Sequence, residues 1–495
     1  MLVKTLEREM ESLKGKYYND EDDMYFFKMA HRKLAALEIA HYEHKIERTD
    51  YDRKKALCLL ELGKYEASII QQIPFCKLVH QYRFEEIVVP HDAICVEYFA
   101  YFNFLTDKPL CGHNYAEGEE YCSYLAFILE EEKERTRIIE IVNIPCEERT
   151  EDEMSNLLMA ADMETCEADE AELSREYLKR KFAVPVLKYM QGKNLLYLGV
   201  DCALSFLPVD IIFCDKKGIP IKCVLVDSIC YAGQDKEIRM RNASALVVGN
   251  PKLDLEEEQN ELSLQCGEIE CNKIAEMLGT KAYIGEKASQ QVLWGKSFKD
   301  IVHISVHGGF RVSDNYIKDV INGNLCIHSY LFFAGYYDWL NGRRKEGYGN
   351  GIVSGDDFLF MNFSETKLVV LSACVSALGL QRGLDIPHGM RWALSIAGVE
   401  NSVTSLWNVS DEATAILMIL FYRNLYSMPV GEALYHAKMR LRSMTNADLE
   451  DDRELWEVVM AARNGKAGGR ERHVEGGDRP FSHWKYWAGF VCYHR

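Results

Sequence analysis

Two short segments decide the fold of this chain: HISVHGG at residues 303–309 and LVVLSAC at residues 368–374. Each is a run of β-favouring apolar residues that ends in a reactive side chain, His307 in the first and Cys374 in the second. Apolar runs that break into loop residues are typical of buried strands in a parallel sheet, which predicts an α/β fold. Because ligands of open α/β sheets bind beyond the carboxyl ends of neighbouring strands, we expect His307 and Cys374 to meet at one edge of the sheet if their strands are neighbours.

His307 and Cys374 are the two residue types that a cysteine nucleophile requires. A free thiol has a pKa of about 8.5, and a neighbouring imidazole lowers that pKa or takes the proton during attack. The glycines after His307 allow a close approach of the backbone to a substrate, and the N–H groups of Gly308 and Cys374 are candidates for an oxyanion hole. The alternative is an ordinary buried thiol and a hydrogen-bonded histidine at a strand end, which is the commoner case for either residue alone. Because both segments are apolar runs that end in a reactive side chain, the sequence favours the catalytic pair.

These residues resemble a known family, the CHAT domain, a branch of the caspase-like cysteine peptidases that also includes separase. The HISVHGG and LVVLSAC motifs carry the resemblance, and weaker matches extend it from about residue 85 to the C-terminus. The supporting segments are VEYF at 96–99, GNP at 249–251, AGVENSV at 397–403, SLWNVSD at 405–411, FY at 421–422, GEAL at 431–434 and WKYWAGF at 484–490. The resemblance implies that the last of them forms an aromatic-rich strand that closes the domain.

The resemblance implies a caspase-like, mostly parallel sheet flanked by helices, divided into two halves. We assign residues 85–250 to a non-catalytic half and residues 251–495 to a catalytic half with the His–Cys dyad. Within the first of these, the acidic stretch at residues 151–181 is predicted to be a long helix. Residues 1–84 have apolar residues at helical spacing, and they are either a helical cap on the main domain or a remnant of the helical repeats that often precede this domain in the family.

The activity that the resemblance implies is that of a cysteine endopeptidase that cuts a protein partner. Cys374 is then the nucleophile and His307 the proton shuttle, and no cofactor is needed. Family members commonly act as regulated effectors in bacterial defence or stress responses, which implies an activating sensor protein or ligand. The alternative is a catalytically silent scaffold that keeps the fold in order to bind partner proteins, and the intact His–Cys pair argues against it.

Asp411 is a candidate for substrate binding. One interpretation is that Asp411 or Ser410 caps the helix that starts near Glu412. The other comes from the resemblance, because in separase a similar Trp-x-Val-x-Asp segment lines the pocket for the residue before the cleaved bond. If Asp411 does the same, its carboxylate favours Arg or Lys at that position through a charge-assisted hydrogen bond.

The composition agrees with an enzyme of the cytoplasm. A chain of 495 residues with 48% hydrophobic residues is long and apolar enough for two or three domains, and its net charge of −18 argues against broad nucleic-acid binding. Sixteen scattered cysteines without a Cys-x-x-Cys pair favour free thiols in a reducing compartment. The charged start is not a secretory signal, and no apolar run is long enough to predict a membrane span. No metal site is expected from His303 and His307, which a strand separates by about 13 Å.

The chain has two glycine-rich basic stretches, at residues 342–351 and 463–472. Both are expected to be loops. They are either plain surface loops or loops that face the substrate or control activation.

Overall fold

We describe the fold from a computed structural model of the protein. The residues that it describes are 47–58, 87–101, 123–162, 168–256, 262–310, 328–380, 388–464 and 478–495, without 49, 52, 56, 134, 147, 235–237, 239, 241–242, 295–296, 360, 375 and 377–378. The chain divides into two compact units, and the second unit comprises Phe84–Val312 and Cys326–Arg495. Of the predicted helical segment at residues 1–84, only residues 47–58 are described, with the gaps given above, and most of these are helical. The rest of that segment and most of the predicted loop at residues 463–472 lie outside the described residues.

Eleven of the described strands form one sheet in the second unit. The strands are β1 (Ala93–Tyr101), β2 (Ser123–Glu132), β3 (Arg135–Ile144), β4 (Leu195–Gly199), β5 (Cys223–Val226), β6 (Ala245–Pro251), β7 (Ala282–Gly285), β8 (Ser297–Ser305), β9 (Gly308–Phe310), β10 (Ser329–Phe332), β11 (Ile352–Ser354), β12 (Asn362–Ser372), β13 (Gly379–Leu380), β14 (His388–Gly389), β15 (Asn401–Ser405) and β16 (Phe490–His494). The large sheet has the order β3-β2-β1-β4-β5-β16-β15-β12-β8-β6-β7, and β11-β10-β9 and β13-β14 form two small sheets. Seven of the ten neighbouring pairs in the large sheet are parallel.

Helices pack against this sheet, which confirms the predicted α/β class. The described α-helices are α1 (Glu148–Asp162), α2 (Ala168–Leu178), α3 (Val184–Leu187), α4 (Val209–Ile212), α5 (Gln265–Met277), α6 (Tyr336–Leu340), α7 (Gly355–Phe358), α8 (Met390–Ala397), α9 (Asp411–Asn424), α10 (Val430–Ser443), α11 (Asn446–Asp451), α12 (Arg453–Asn464) and α13 (Trp484–Trp487). Helix α9 is buried along nearly its whole length, from Glu412 to Tyr422. A helix that is apolar on all sides belongs in the interior, where α9 packs against α5 and α10.

The strands β8 and β12 are buried on both faces, as their continuous apolar runs predict. On β12, Leu368 and Val370 belong to one hydrophobic core together with helix α9. The alternate residues Val369 and Leu371 belong to a second core, on the side where helix α8 contributes Leu394. The carboxyl ends of both strands are therefore held rigidly between two packed layers.

In the acidic stretch at residues 151–181, the structure describes helix α1 as far as Asp162 and helix α2 from Ala168, with residues 163–167 outside the described part. One prediction about a single element needs correction: the resemblance implies a strand over residues 484–490, but Trp484–Trp487 form the one-turn helix α13. The closing strand is β16, which starts at Phe490 and lies between β5 and β15.

Candidate active site

The strands β8 and β12 are parallel neighbours, in a register that continues to their carboxyl ends. Ser305 lies opposite Ser372 in the last pair of the ladder. His307 lies two residues after Ser305, and Cys374 lies two residues after Ser372. Both residues therefore lie just beyond the same edge of the sheet. Because neighbouring strands lie about 4.8 Å apart, the structure brings these two predicted site residues together.

The imidazole of His307 is oriented by a backbone carbonyl. Its Nε2 lies 2.8 Å from the carbonyl oxygen of Leu262. A carbonyl oxygen only accepts, so Nε2 carries the hydrogen and Nδ1 keeps the lone pair in the neutral ring. His307 is thereby fixed as the tautomer whose Nδ1 can take a proton, which is the form that a general base needs.

The chain on both sides of Cys374 is anchored by two buried serines that the sequence prediction missed. The hydroxyl of Ser376 donates to the carbonyl of Leu371 at 3.3 Å and accepts from the N–H of Ser405 at 2.9 Å. The hydroxyl of Ser405, on β15, donates to the carbonyl of Ala373. The thiol of Cys374, which is partly exposed, therefore sits on a turn whose backbone is tied to two strands.

Gly308 lies directly against the backbone of Cys374. A Cβ at position 308 would come within 2.4 Å of the carbonyl oxygen of Cys374 and 3.4 Å of its nitrogen. No L-residue with a side chain fits such a contact without a shift of the backbone. The two N–H groups of the predicted oxyanion hole thus belong to chain segments in contact with each other.

A cluster of three aromatic side chains, Tyr330, Phe332 and Tyr336, lies next to His307. The N–H of Phe332 on β10 donates to the carbonyl of His307 at 2.9 Å. The ring of Phe332 lies 5.2 Å from that of Tyr330 and 4.4 Å from that of Tyr336, and all three are half-buried. Rings that remain partly exposed beside a reaction centre offer apolar surface to a substrate side chain.

Asp411 is bound to the start of helix α5. One carboxylate oxygen accepts from the N–H of Cys266 and the other from the N–H of Gly267, both at 3.0 Å. Burial raises the pKa of the Asp411 carboxyl, and these two N–H groups counteract the shift. The predicted cap of Asp411's own helix is confirmed for Ser410, whose hydroxyl accepts from the N–H of Ala413. Asp411 therefore joins α9 to α5, and its role toward a substrate stays a proposal.

The basic loop at residues 342–351 is joined to the acidic chain after β6 by ion pairs. Arg343 contacts Asp254 at 2.7 Å, Asp338 at 3.2 Å and Glu256 at 3.3 Å. Lys345 adds a contact to Glu256 at 2.9 Å. The loop is thus tied to the segment that leads toward Leu262.

His303 is a packed residue of β8, as the sequence predicts. Its ring is fully buried, with Nε2 at 2.9 Å from a carboxylate oxygen of Glu270 and Nδ1 at 3.3 Å from the hydroxyl of Tyr422. Within the described residues, no group of three or more His, Cys, Asp or Glu side chains is arranged to hold a metal ion. None of the helices in the described part of the chain combines the length and the apolar character that crossing a bilayer requires.

Similarity to known proteins is clearest at the level of the family. No curated protein matches the sequence. Among solved structures, the chain is similar to the crystal structure of the Arg-specific cysteine proteinase gingipain R, with 9% identity and a TM-score of 0.27 over 70% of this chain and 74% of that one. The profile of the CHAT-domain family matches residues 177–495, which include both His307 and Cys374 and make up well over half of the chain. This protein belongs to the CHAT-domain family.

Proposed function

We propose that the protein is a cysteine endopeptidase in which Cys374 and His307 form the catalytic dyad. The observation that carries the proposal is the register of β8 and β12, which leaves both residues two positions beyond the last pair of the same ladder. The contact of His307 Nε2 with the Leu262 carbonyl supports it, because it leaves Nδ1 available as a base.

The chemistry follows from these positions. Nδ1 of His307 takes the proton of the Cys374 thiol, and the sulfur attacks a peptide carbonyl. The N–H groups of Gly308 and Cys374 stabilise the negative oxygen of the tetrahedral intermediate. The imidazolium then protonates the leaving amine, and a water molecule that gives its proton to His307 hydrolyses the thioester.

The first prediction tests the dyad. Cys374→Ala and His307→Ala should each abolish proteolysis and leave the thermal unfolding midpoint nearly unchanged, and the double variant should lose no more, since the two residues act as one unit. Proteomic cleavage-site mapping with wild type and Cys374→Ala, in the presence of candidate activators, is the measurement. Identical cleavage maps would show that the protein is the silent scaffold instead.

The rate at which the thiols are alkylated tests independently whether His307 activates the Cys374 thiol. Cys95, Cys266 and Cys271 are buried, and burial raises the pKa of Cys95 to about 12. A partly exposed Cys374 beside a base should therefore react with an alkylating agent faster than these three. Peptide mapping after a short exposure identifies the modified residue, with His307→Ala as the variant in which the excess reactivity disappears.

The biological setting of the proposal comes from the family resemblance. We propose a regulated effector in a bacterial defence or stress response that cuts a protein partner in the cytoplasm after a sensor protein or ligand activates it. Cleavage after Arg or Lys is proposed with Asp411 as the acidic anchor. A carboxylate has about four acceptor positions, so its two bonds to the N–H groups of Cys266 and Gly267 leave room for a cation.

A further inference from the structure

Asn250 has a left-handed backbone conformation, which is uncommon for a residue other than glycine. It follows Gly249 near the end of β6, with a φ of 41°, in the left-handed region that Asn tolerates better than most residues. A Cβ at Gly249 would lie 2.3 Å from the sulfur of Cys271, so the strand passes very close to helix α5 here. Asn250 itself is only 5% exposed. A buried amide in a left-handed conformation persists where its side chain makes specific bonds.

The side chain of Asn250 makes three hydrogen bonds to one turn of the chain. Its Oδ1 accepts from the N–H of Leu264 at 2.7 Å and from the hydroxyl of Ser263 at 3.2 Å. Its Nδ2 donates to a carboxylate oxygen of Glu268 at 2.7 Å. Leu264 is the residue that precedes helix α5 and has no side-chain cap of its own. Asn250 therefore fixes the place where the chain enters α5.

This turn carries the carbonyl that orients His307. Leu262 immediately precedes Ser263, and its carbonyl oxygen lies 2.8 Å from Nε2 of His307. Leu262 is 45% exposed, so packing in a core does not hold this residue in place. The bonds of Asn250 to the next two residues supply that restraint. We propose that Asn250 is a positioning residue that acts through the Leu262 carbonyl to hold His307 in its Nε2–H tautomer.

The proposal rests on the proposed peptidase function and predicts a defined kinetic effect. A displacement of about 1 Å at a catalytic group is enough to lower a rate by about 100-fold. Asn250 does not touch the substrate in this proposal, so its loss should lower kcat and leave KM nearly unchanged. A specificity role would change KM and the preferred substrate instead.

A swap of donor and acceptor tests this idea without removing the side chain. Asn250→Asp places a second carboxylate at the 2.7 Å distance from Glu268 now spanned by a hydrogen bond, and the two oxygens repel. This repulsion moves the side chain, and with it the oxygen that accepts from Ser263 and Leu264, out of its native position. Glu268→Gln alone leaves a carbonyl oxygen that can still accept from Asn250. The double variant Asn250→Asp/Glu268→Gln restores one donor and one acceptor with their roles reversed. We expect kcat to fall by about 10- to 100-fold in the first variant, to change little in the second and to recover most of its value in the double variant.

Asn424→Asp is the matched control. Its Nδ2 donates to the carbonyl of Ala433 at 3.1 Å, so the same substitution removes a comparable bond far along the chain from the site. It should lower the unfolding midpoint with an unchanged kcat. A native kcat for Asn250→Asp, or a folded double variant without recovery, would overturn the role of Asn250.

A readout that needs no turnover separates this proposal from the peptidase assignment. The ¹⁵N shifts of a histidine ring report which nitrogen carries the hydrogen, and the signal of His307 is assigned by its loss in His307→Gln. Wild type should show the Nε2–H tautomer, Asn250→Asp a mixture of tautomers, and the double variant the wild-type pattern. If wild type cuts nothing but this pattern holds, the peptidase assignment fails and the positioning role stands. An Nε2–H tautomer that persists in Asn250→Asp would overturn the positioning role, whether or not wild type cuts a substrate.

Discussion

At the scale of single residues, the two glycines after His307 have different neighbours and should respond differently to the same change. Gly308→Ala would push a methyl group to 2.4 Å from the backbone oxygen of Cys374, which cannot move without shifting the proposed nucleophile. Gly309→Ala meets the ring of Tyr330 at 2.6 Å, and a half-exposed side chain can turn away. We expect kcat to fall by about 100-fold or more for Gly308→Ala, the scale for losing an oxyanion donor, and much less for Gly309→Ala. Steady-state kinetics on one peptide substrate measures both, and equal losses would show that the Gly308 contact has no special role.

We expect Glu97 on β1 to make the stability of the protein dependent on pH. Burial raises the pKa of its carboxyl from the ordinary 4.5 to about 7, and the nearby Asp201 and Asp227 add to the effect. A raised carboxyl pKa means that the folded state favours the protonated form. The stabilisation is therefore complete below about pH 4.5 and is lost as the pH rises through about 7.

Glu97→Gln should remove this dependence. The amide oxygen can still accept from the N–H of Ile229, which donates to the carboxylate at 2.9 Å, and no charge has to be buried. Above pH 7 the variant should be more stable than wild type by on the order of 3 kcal/mol, the free energy that corresponds to such a pKa shift. Urea unfolding between pH 5 and 8 is the measurement, with Glu276→Gln on the exposed side of α5 as the control. A wild-type curve that is flat over this range would contradict the assignment.

At the scale of elements, Asp411 joins two helices, which allows its two roles to be separated. In Asp411→Asn the amide can accept from only one of the N–H groups of Cys266 and Gly267, so α5 should lose about 1–3 kcal/mol of stabilisation. If Asp411 also anchors a basic side chain, cleavage after Arg or Lys should lose a further 2–5 kcal/mol, roughly, in transition-state binding, while other cleavages change little. Peptide-library profiling of wild type and variant measures this difference.

Ser410→Ala is the control for the Asp411 prediction. It removes the cap of α9 without touching the carboxylate, and should lower stability by about 1 kcal/mol without changing the preference. If Asp411→Asn reduces all cleavages by the same factor, Asp411 is a structural link only and the basic-pocket proposal is wrong.

The elements also show how far the sequence alone can lead. The strands β8 and β12 could be predicted because burial on both faces forces a continuous apolar run. The strand that the family resemblance implies for residues 484–490 starts only at Phe490, because the indole N–H groups of this region need acceptors. Trp487 donates to the carbonyl of Ser482 at 3.1 Å, a bond that one helical turn allows. Trp407 donates to the carbonyl of Lys485 at 3.0 Å, a contact 78 residues distant in sequence.

The candidate site could be predicted only in part for a similar reason. His307 and Cys374 are visible because reactive side chains end apolar runs. The Leu262 carbonyl is a backbone group and leaves no mark on the sequence, since any residue type could supply it. The contact of Asp411 with Cys266 spans 145 positions. Local patterns predict which residues end a strand, but not which distant turn packs against them.

At the scale of the whole molecule, the chain's last strand joins the two parts of the large sheet. Strand β16 pairs with β15 in an antiparallel ladder and with β5 in a parallel one. The hydroxyl of Tyr493 donates to the carbonyl of Ser205 at 3.1 Å, and Arg391 contacts Asp227 at 2.9 Å. The strands on the two sides of β16 therefore share hydrogen bonds, ion pairs and one core.

The proposed division near residue 250 leads to the last prediction, which concerns a fragment of residues 251–495. Lys438 on α10 is 4% exposed and forms an ion pair with Asp210, which is 5% exposed. The fragment keeps the lysine and loses its partner, and a buried charge left unpaired costs about 3–5 kcal/mol. It also exposes one edge of β16, where an unpaired strand offers backbone groups to other chains. We expect aggregation in size-exclusion chromatography with light scattering and no peptide turnover, whereas co-expression with residues 85–250 should restore a monodisperse, active complex. A monodisperse fragment that turns over peptide at the full-length rate would show that the upstream strands are not needed to hold His307 and Cys374 in place.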